Sequence, residues 1–154
     1  MILAYRRRST CAKDSVDRRC DTGPLVAAVN RRDRHHTLSL AVLTDGDPTL
    51  IVPVTVMVEV DYLLRARLGD DAARRFLVDV DAGRYVPAPV TADVLHRAIQ
   101  LDAQHADVGL GLVDASVVAV AEAVGATTVA TLDHTHLRIV QGQGWELIPA
   151  ERDL

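Results

Sequence analysis

Lysine is nearly missing from this 154-residue chain: Lys13 stands alone, and every other fixed positive side chain is an arginine. Cys11 and Cys20 are the only thiols. A bridge between them is chemically open, but two cysteines without export features fit a reducing cytoplasm better. Aromatic residues make up 3% of the chain, which excludes an extensive base-stacking platform. The formal net charge of -4 excludes a broad basic field, though not local clusters of arginine. No apolar run approaches the roughly 20 residues of a membrane span, because Asp, Glu or Arg interrupts each one. The apolar part of the opening MILAYRRRST is too short for a secretory leader. The expectation is a cytoplasmic protein that makes no use of a membrane.

What remains is enough for one folded domain. Hydrophobic residues are 49% and charged residues 25%, a balance that supports a core rather than a disordered chain. Residues 1–20, with RRR and KDSVDRRC, lack sustained periodicity, and we read them as an atypical N-terminal segment, exposed or misassigned, ahead of a domain at 21–150. At Asp21 the character changes. DTGPLVAAVN starts a helix with Pro24 in its first turn, and HTLSLAVLT (36–44) forms a second, closed by the turn signal DGDP. LIVPV (50–54) is a buried strand, and Thr55 is positioned to cap a helix over VMVEVDYLLRARL that stops at Gly69. DDAARRFLVDVDAG is a further helix with acids in its first turn; YVPA (85–88) is a strand; TADVLHRAIQLDAQH is a helix capped by Thr91. An apolar helix then opens on Asp114 and ends at Gly125. A strand at 128–132, a short helix or turn in DHTHLRIV and a last strand at 145–148 complete the chain. Strands alternating with helices imply βαβ units, hence a three-layer α/β/α sandwich with a mainly parallel sheet.

Such sheets gather chemistry beyond the carboxyl ends of their strands. Asp21 follows the place where a first strand would end, and Asp133 follows the strand TTVATL. Glu59 lies one helical turn after Thr55, and Asp114 opens its helix. Each has a plain structural alternative. Asp21 and Asp114 are suited to capping, Asp133 to a turn, and Glu59 to pairing with Arg65. Glu59 is the hardest to explain that way, since VMVEVDYLL is apolar on nearly every side. Together the four acids would repel one another unless protonated or neutralised, and a hard divalent cation, Mg²⁺ or Mn²⁺, resolves that conflict.

DTGPLVAAVN, VTVMVEVDYLL and GLGLVDASVVAVAEAVGATTVATLDHTHL, taken in order, closely resemble the PIN-domain ribonucleases of VapC-type toxins, over roughly residues 21–149. The resemblance implies a PIN-like fold and maps Asp21, Glu59, Asp114 and Asp133 onto the family's four acids, with Thr22 and Thr131 as hydroxyl positions beside them. It implies that Asp21 and Asp114 hold Mg²⁺, with Mn²⁺ as a substitute, and that Glu59 and Asp133 complete the catalytic shell directly or through water. It further implies RNA as substrate, cleavage leaving a 5′-phosphate and a 3′-hydroxyl, and neutralisation by a small cognate antitoxin. Asp107 also falls at a commonly acidic position but takes no metal role. The family starts on a short apolar strand that runs into the first aspartate. Here Arg18 and Arg19 stand in that stretch, against the continuous apolar pattern of a central parallel strand, so Asp21 is expected to be poorly held.

The remaining candidates are weaker. His134 and His136 at i, i+2 do not share a helix face, which speaks against a transition-metal site. His35 and His36 read as exposed loop groups. Arg65, Arg67, Arg74 and Arg75 line either a groove for RNA phosphates or a solvated helix face. The apolar helix faces at 38–43 and 62–68 are core first, with enough left over for a partner helix or a second copy, and a homodimer is expected. Two rivals to a nuclease remain. A receiver-like or phosphatase-like domain would set a lysine beside its acids, and Lys13 is misplaced for that. A catalytically impaired PIN-like protein that only binds an antitoxin or self-associates is motivated by the poor first strand.

Overall fold

Five strands run side by side in the order β3-β2-β1-β4-β5, and all four neighbouring pairs are parallel. A computed structural model describes residues 17–138, 140 and 144–154 of the chain. The strands are β1 (Asp17–Cys20), β2 (Thr49–Pro53), β3 (Tyr85–Ala88), β4 (Thr128–Ala130) and β5 (Glu146–Ile148). Helices α1 (Thr22–Val29), α2 (His36–Thr44), α3 (Val54–Leu68), α4 (Asp70–Asp81), α5 (Ala92–Gln104), α6 (Gly111–Val124) and α7 (His134–Leu137) connect them. This is the expected α/β architecture, and parallel pairing follows because each crossover carries a helix.

Burial follows the layers. Val52 and Val129, on strands flanking the centre, are fully buried, and α6 is buried continuously from Ala115 to Ala121. A helix closed off on all sides needs an apolar sequence all round, which VDASVVAVA supplies. By contrast α4 buries only Ala73 and Phe76 and leaves its charged face to solvent. Gly125, left-handed at φ 61, ends α6 where a side chain would be strained.

Three expectations need correcting. Pro53, not Thr55, occupies the cap position of α3: its fixed φ lets β2 run straight into the helix. Thr55 is thereby freed, and its hydroxyl meets that of Ser116 on α6 at 2.5 Å. Likewise α6 begins at Gly111, whose N–H is met by the Asp102 carboxylate at 3.0 Å, so Asp114 sits inside the first turn rather than opening the helix.

The third concerns the start. Despite its arginines, Asp17–Cys20 forms the central strand, pairing with β2 and β4. The sheet therefore takes in four residues ahead of Asp21. The Arg18 guanidinium leaves the sheet and donates to the carbonyls of Val42 and Asp45 at the carboxyl end of α2, where orphan acceptors and the helix dipole favour a cation. Arg19 is buried with its guanidinium 4.0 Å from the Asp17 carboxylate. Residues 1–16, with Cys11 and Lys13, lie outside the described residues. Cys20 is a free thiol, buried and pushed up to about 12 chiefly by desolvation, so it is chemically quiet.

Candidate active site

At the carboxyl edge of β1, β2 and β4 a cleft of about 500 Å³ is lined by all four acids: Asp21, Glu59, Asp114 and Asp133. Asp21 follows β1 directly. Its N–H donates to the Ala130 carbonyl at 2.9 Å, which continues the β1–β4 ladder one residue past the strand. The carboxylate is nearly fully buried and doubly held, Oδ1 by the Thr22 N–H at 2.6 Å and Oδ2 by the Thr131 hydroxyl at 2.8 Å. Capping and site-building are thus the same act here. Two accepted bonds still leave lone pairs on both oxygens for a cation. The expectation that Arg18 and Arg19 leave Asp21 poorly held is not what this geometry gives.

Asp133 caps α7. Oδ1 accepts from the N–H groups of Thr135 and His136 at 3.0 and 3.3 Å, and its own N–H donates to Thr131 Oγ1 at 2.9 Å. Glu59, on α3, accepts from the Thr22 hydroxyl at 2.5 Å. It does not pair with Arg65, which binds Asp61 and Asp70 instead. Thr22 and Thr131 therefore tie acids from different elements together. Asp107 is exposed in the turn after α5, and the cleft-lining residues do not include it.

Electrostatics mark the cluster. Burial pushes the Asp114 carboxyl up to about 7, and the charges of Asp21, Asp133 and Glu59 push the same way against His136. Asp21 is likewise raised, first by burial, with its hydrogen bonds to Thr131 and Thr22 opposing. Acids held this close without a counter-charge hold protons tightly.

His136 is the residue that sequence reasoning undervalued. Its Nδ1 lies 2.8 Å from Asp133 Oδ2 and 3.8 Å from Asp114 Oδ2. Ligand atoms from Asp114, Asp133 and His136 all lie within 4.8 Å of one another. The missed signal was the i, i+3 spacing from Asp133, the cap, rather than the i, i+2 spacing between the histidines. His134 lines the cleft separately, as the face argument expected. The carboxylate oxygens are hard donors of the kind divalent cations take, and the imidazole sets one nitrogen donor beside them. Glu151, beyond β5, also reaches the cleft but is paired with Arg138.

A family model described as PIN domain matches residues 20–141. Ribonuclease VapC26 of Mycobacterium tuberculosis is 28% identical over 132 residues, covering 84% of this chain and 98% of that protein. The crystal structure of Mycobacterium tuberculosis VapC20, a sarcin-ricin loop cleaving toxin, superposes with a TM-score of 0.74 at 22% identity, covering 80% of this chain and 95% of that one. VapBC2 from Rickettsia felis, bound to a DNA fragment from their promoter, gives 0.63 at 18% identity, covering 84% and 97%. At such identities the two solved structures speak for the fold alone.

Proposed function

The chain belongs to the PIN domain family, and from that premise we propose that it is a Mg²⁺-dependent endoribonuclease of VapC type, the toxin of a toxin–antitoxin pair. The observation that carries this reading is the single cleft lined by Asp21, Glu59, Asp114 and Asp133 at the carboxyl edge of a parallel sheet. Asp21 and Asp114 would hold the ion, Mg²⁺ or in its place Mn²⁺. Glu59 and Asp133 would complete its surroundings directly or through water, with His136 beside them. Bound there, the ion supplies a water of lowered pKa and counter-charge for a phosphodiester. The protein's own part is to fix the acids. Thr131 orients Asp21 and the Asp133 backbone, and Thr22 orients Glu59.

A small cognate antitoxin is the proposed partner, supported by the ribonuclease relative and by the VapBC structure of the same fold. A homodimer is supported by the exposed apolar stripe Val54, Val58 and Tyr62 along α3, which repeats at i, i+4, i+8 and so lies on one face. No helix among the described residues is long and apolar enough to cross a membrane. A cytoplasmic location is part of the same proposal, because RNA is the proposed substrate.

The test is to incubate purified, antitoxin-free protein with RNA and Mg²⁺ beside Asp114→Asn. Cleavage by the wild type, with kcat lower by orders of magnitude in the folded variant, is expected. A variant as active as the wild type refutes the assignment. A wild type that binds an antitoxin yet leaves RNA intact points to the impaired alternative.

A further inference from the structure

Beside the acid cleft lies a second groove of about 590 Å³ that shares Thr22, Gly23 and Leu132 with it as a common wall. Its charge is opposite. Arg32 and Arg34, from the α1–α2 connection, and Arg67, near the end of α3, line it against one carboxylate, Asp33. That carboxylate is engaged, accepting from the His35 N–H at 2.9 Å. The connection itself is a built turn. The Asn30 side chain accepts from the Arg32 N–H at 3.2 Å, the Asn30 carbonyl from Asp33 at 2.9 Å, and the Asp33 carbonyl from His36 at 3.1 Å.

Some of the arginines are paired with acids and others are not. Arg65, Arg74, Arg84, Arg97 and Arg138 are all paired with acids. Arg32, Arg34 and Arg67 form no ion pair among the described residues. Arg31 and Arg75, both exposed, also form no ion pair among the described residues, but neither lines the groove. Arg34 Nε donates to His35 Nε2 at 2.8 Å, which steadies the side chain without neutralising it. Three guanidinium groups against the single carboxylate of Asp33, next to a cleft of acids, make a charge step along one continuous surface.

We infer that this groove holds the phosphate backbone of the RNA strand beside the scissile bond, the strand passing from the acid cleft over Gly23 onto Arg32, Arg34 and Arg67. The inference rests on the ribonuclease reading and adds to it the residues that grip the substrate. Guanidinium groups suit the task because their planar forks match phosphate oxygens in pairs. Few aromatics are needed, since grip here comes from the backbone and not from stacked bases.

The test is the binding of a short, unstructured, fluorescein-labelled RNA in EDTA, followed by anisotropy across a NaCl titration. Arg32→Ala/Arg34→Ala should weaken binding about tenfold. It should lower the slope of log K against log salt by about 1.4, two contacts at about 0.7 each for a single strand. Arg74→Ala/Arg75→Ala on α4, with the same change in net charge, should move neither. Arg32→Gln/Arg34→Gln repeats the test, with a thermal melt verifying the fold. Unchanged binding in the groove variants, or equal loss in both pairs, overturns the inference. So does poly-glutamate binding as tightly as RNA, which would make the groove a seat for an acidic protein segment. The two readings fail separately. RNA cleaved by wild type with unaltered binding in the groove variants removes the groove and leaves the ribonuclease. The expected binding pattern without Mg²⁺-dependent cleavage does the reverse.

Discussion

Thr131 Oγ1 donates to Asp21 Oδ2 at 2.8 Å while accepting from the Asp133 N–H at 2.9 Å, so one buried hydroxyl joins two acids that are far apart in the chain. Thr131→Val keeps the shape and removes both bonds. It should cost about 1–3 kcal/mol in thermal or urea unfolding, because the buried Asp21 carboxylate loses a donor and the half-buried Asp133 N–H its acceptor. It should also weaken Mg²⁺ binding by calorimetry, whereas Thr131→Ser should keep both near wild type. A valine variant with unaltered metal affinity would show that Asp21 needs no such brace.

The raised Asp114 carboxyl fixes the sign of a pH effect. A group whose pKa is higher folded than unfolded favours the folded state below its unfolded value, and that advantage fades as pH rises through the folded value. Going from 3.8 to about 7 sets the window, with a ceiling of about 4 kcal/mol. Metal-free protein in EDTA should therefore lose Tm steadily from pH 4 to pH 8, Asp21 adding in the same direction. Asp114→Asn should flatten the profile and melt above the wild type at pH 8. Mg²⁺ should restore the wild type there and not the variant. A wild-type Tm that climbs over this range contradicts the electrostatic account.

Gly23 packs against the connection that carries Asp133. A Cβ at this position would meet Leu132 Cβ at 3.3 Å and its backbone nitrogen at 3.5 Å. Gly23→Ala gains helix propensity of up to about 1 kcal/mol, so the melting temperature should change little. Leu132 must shift, however, and Asp133 follows it. Loss of cleavage rate without loss of stability is the expected split; equal losses in both would mean general damage.

Arg18 serves α2 rather than the cleft. Arg18→Ala should lower stability by about 1.5–3 kcal/mol, the range for hydrogen bonds to a charged group, through the lost contacts to Val42 and Asp45. Mg²⁺ affinity should stay within about twofold, since Asp21 is held independently by Ala130, Thr22 and Thr131. A parallel tenfold loss of affinity would return the first strand to suspicion.

The sequence carried the element order well because its punctuation is strong: Thr91 does cap α5 through the Val94 N–H, and Gly125 does end α6. Four acids spaced along the chain were legible because strand ends in a parallel sheet face one edge. What stayed hidden needed three dimensions. A hydroxyl freed from capping, as at Thr55, finds its partner 61 positions away in Ser116. Two arginines in a strand look forbidden until one reaches a helix end that only folding brings near. His136 shares no helix face with His134, yet it has a partner in the aspartate three residues before it.

The all-parallel sheet has a consequence for when the cleft comes into being. Its central strand finds one neighbour in β2 and the other only in β4, and the Asp21–Thr131 bond spans 110 positions. Pairings this distant form late in folding. Until β4 has docked, the four acids stay scattered along the chain and the cleft they line does not exist. If the cleft cuts RNA, that activity waits on the docking of the strand that leads to Thr131 and Asp133.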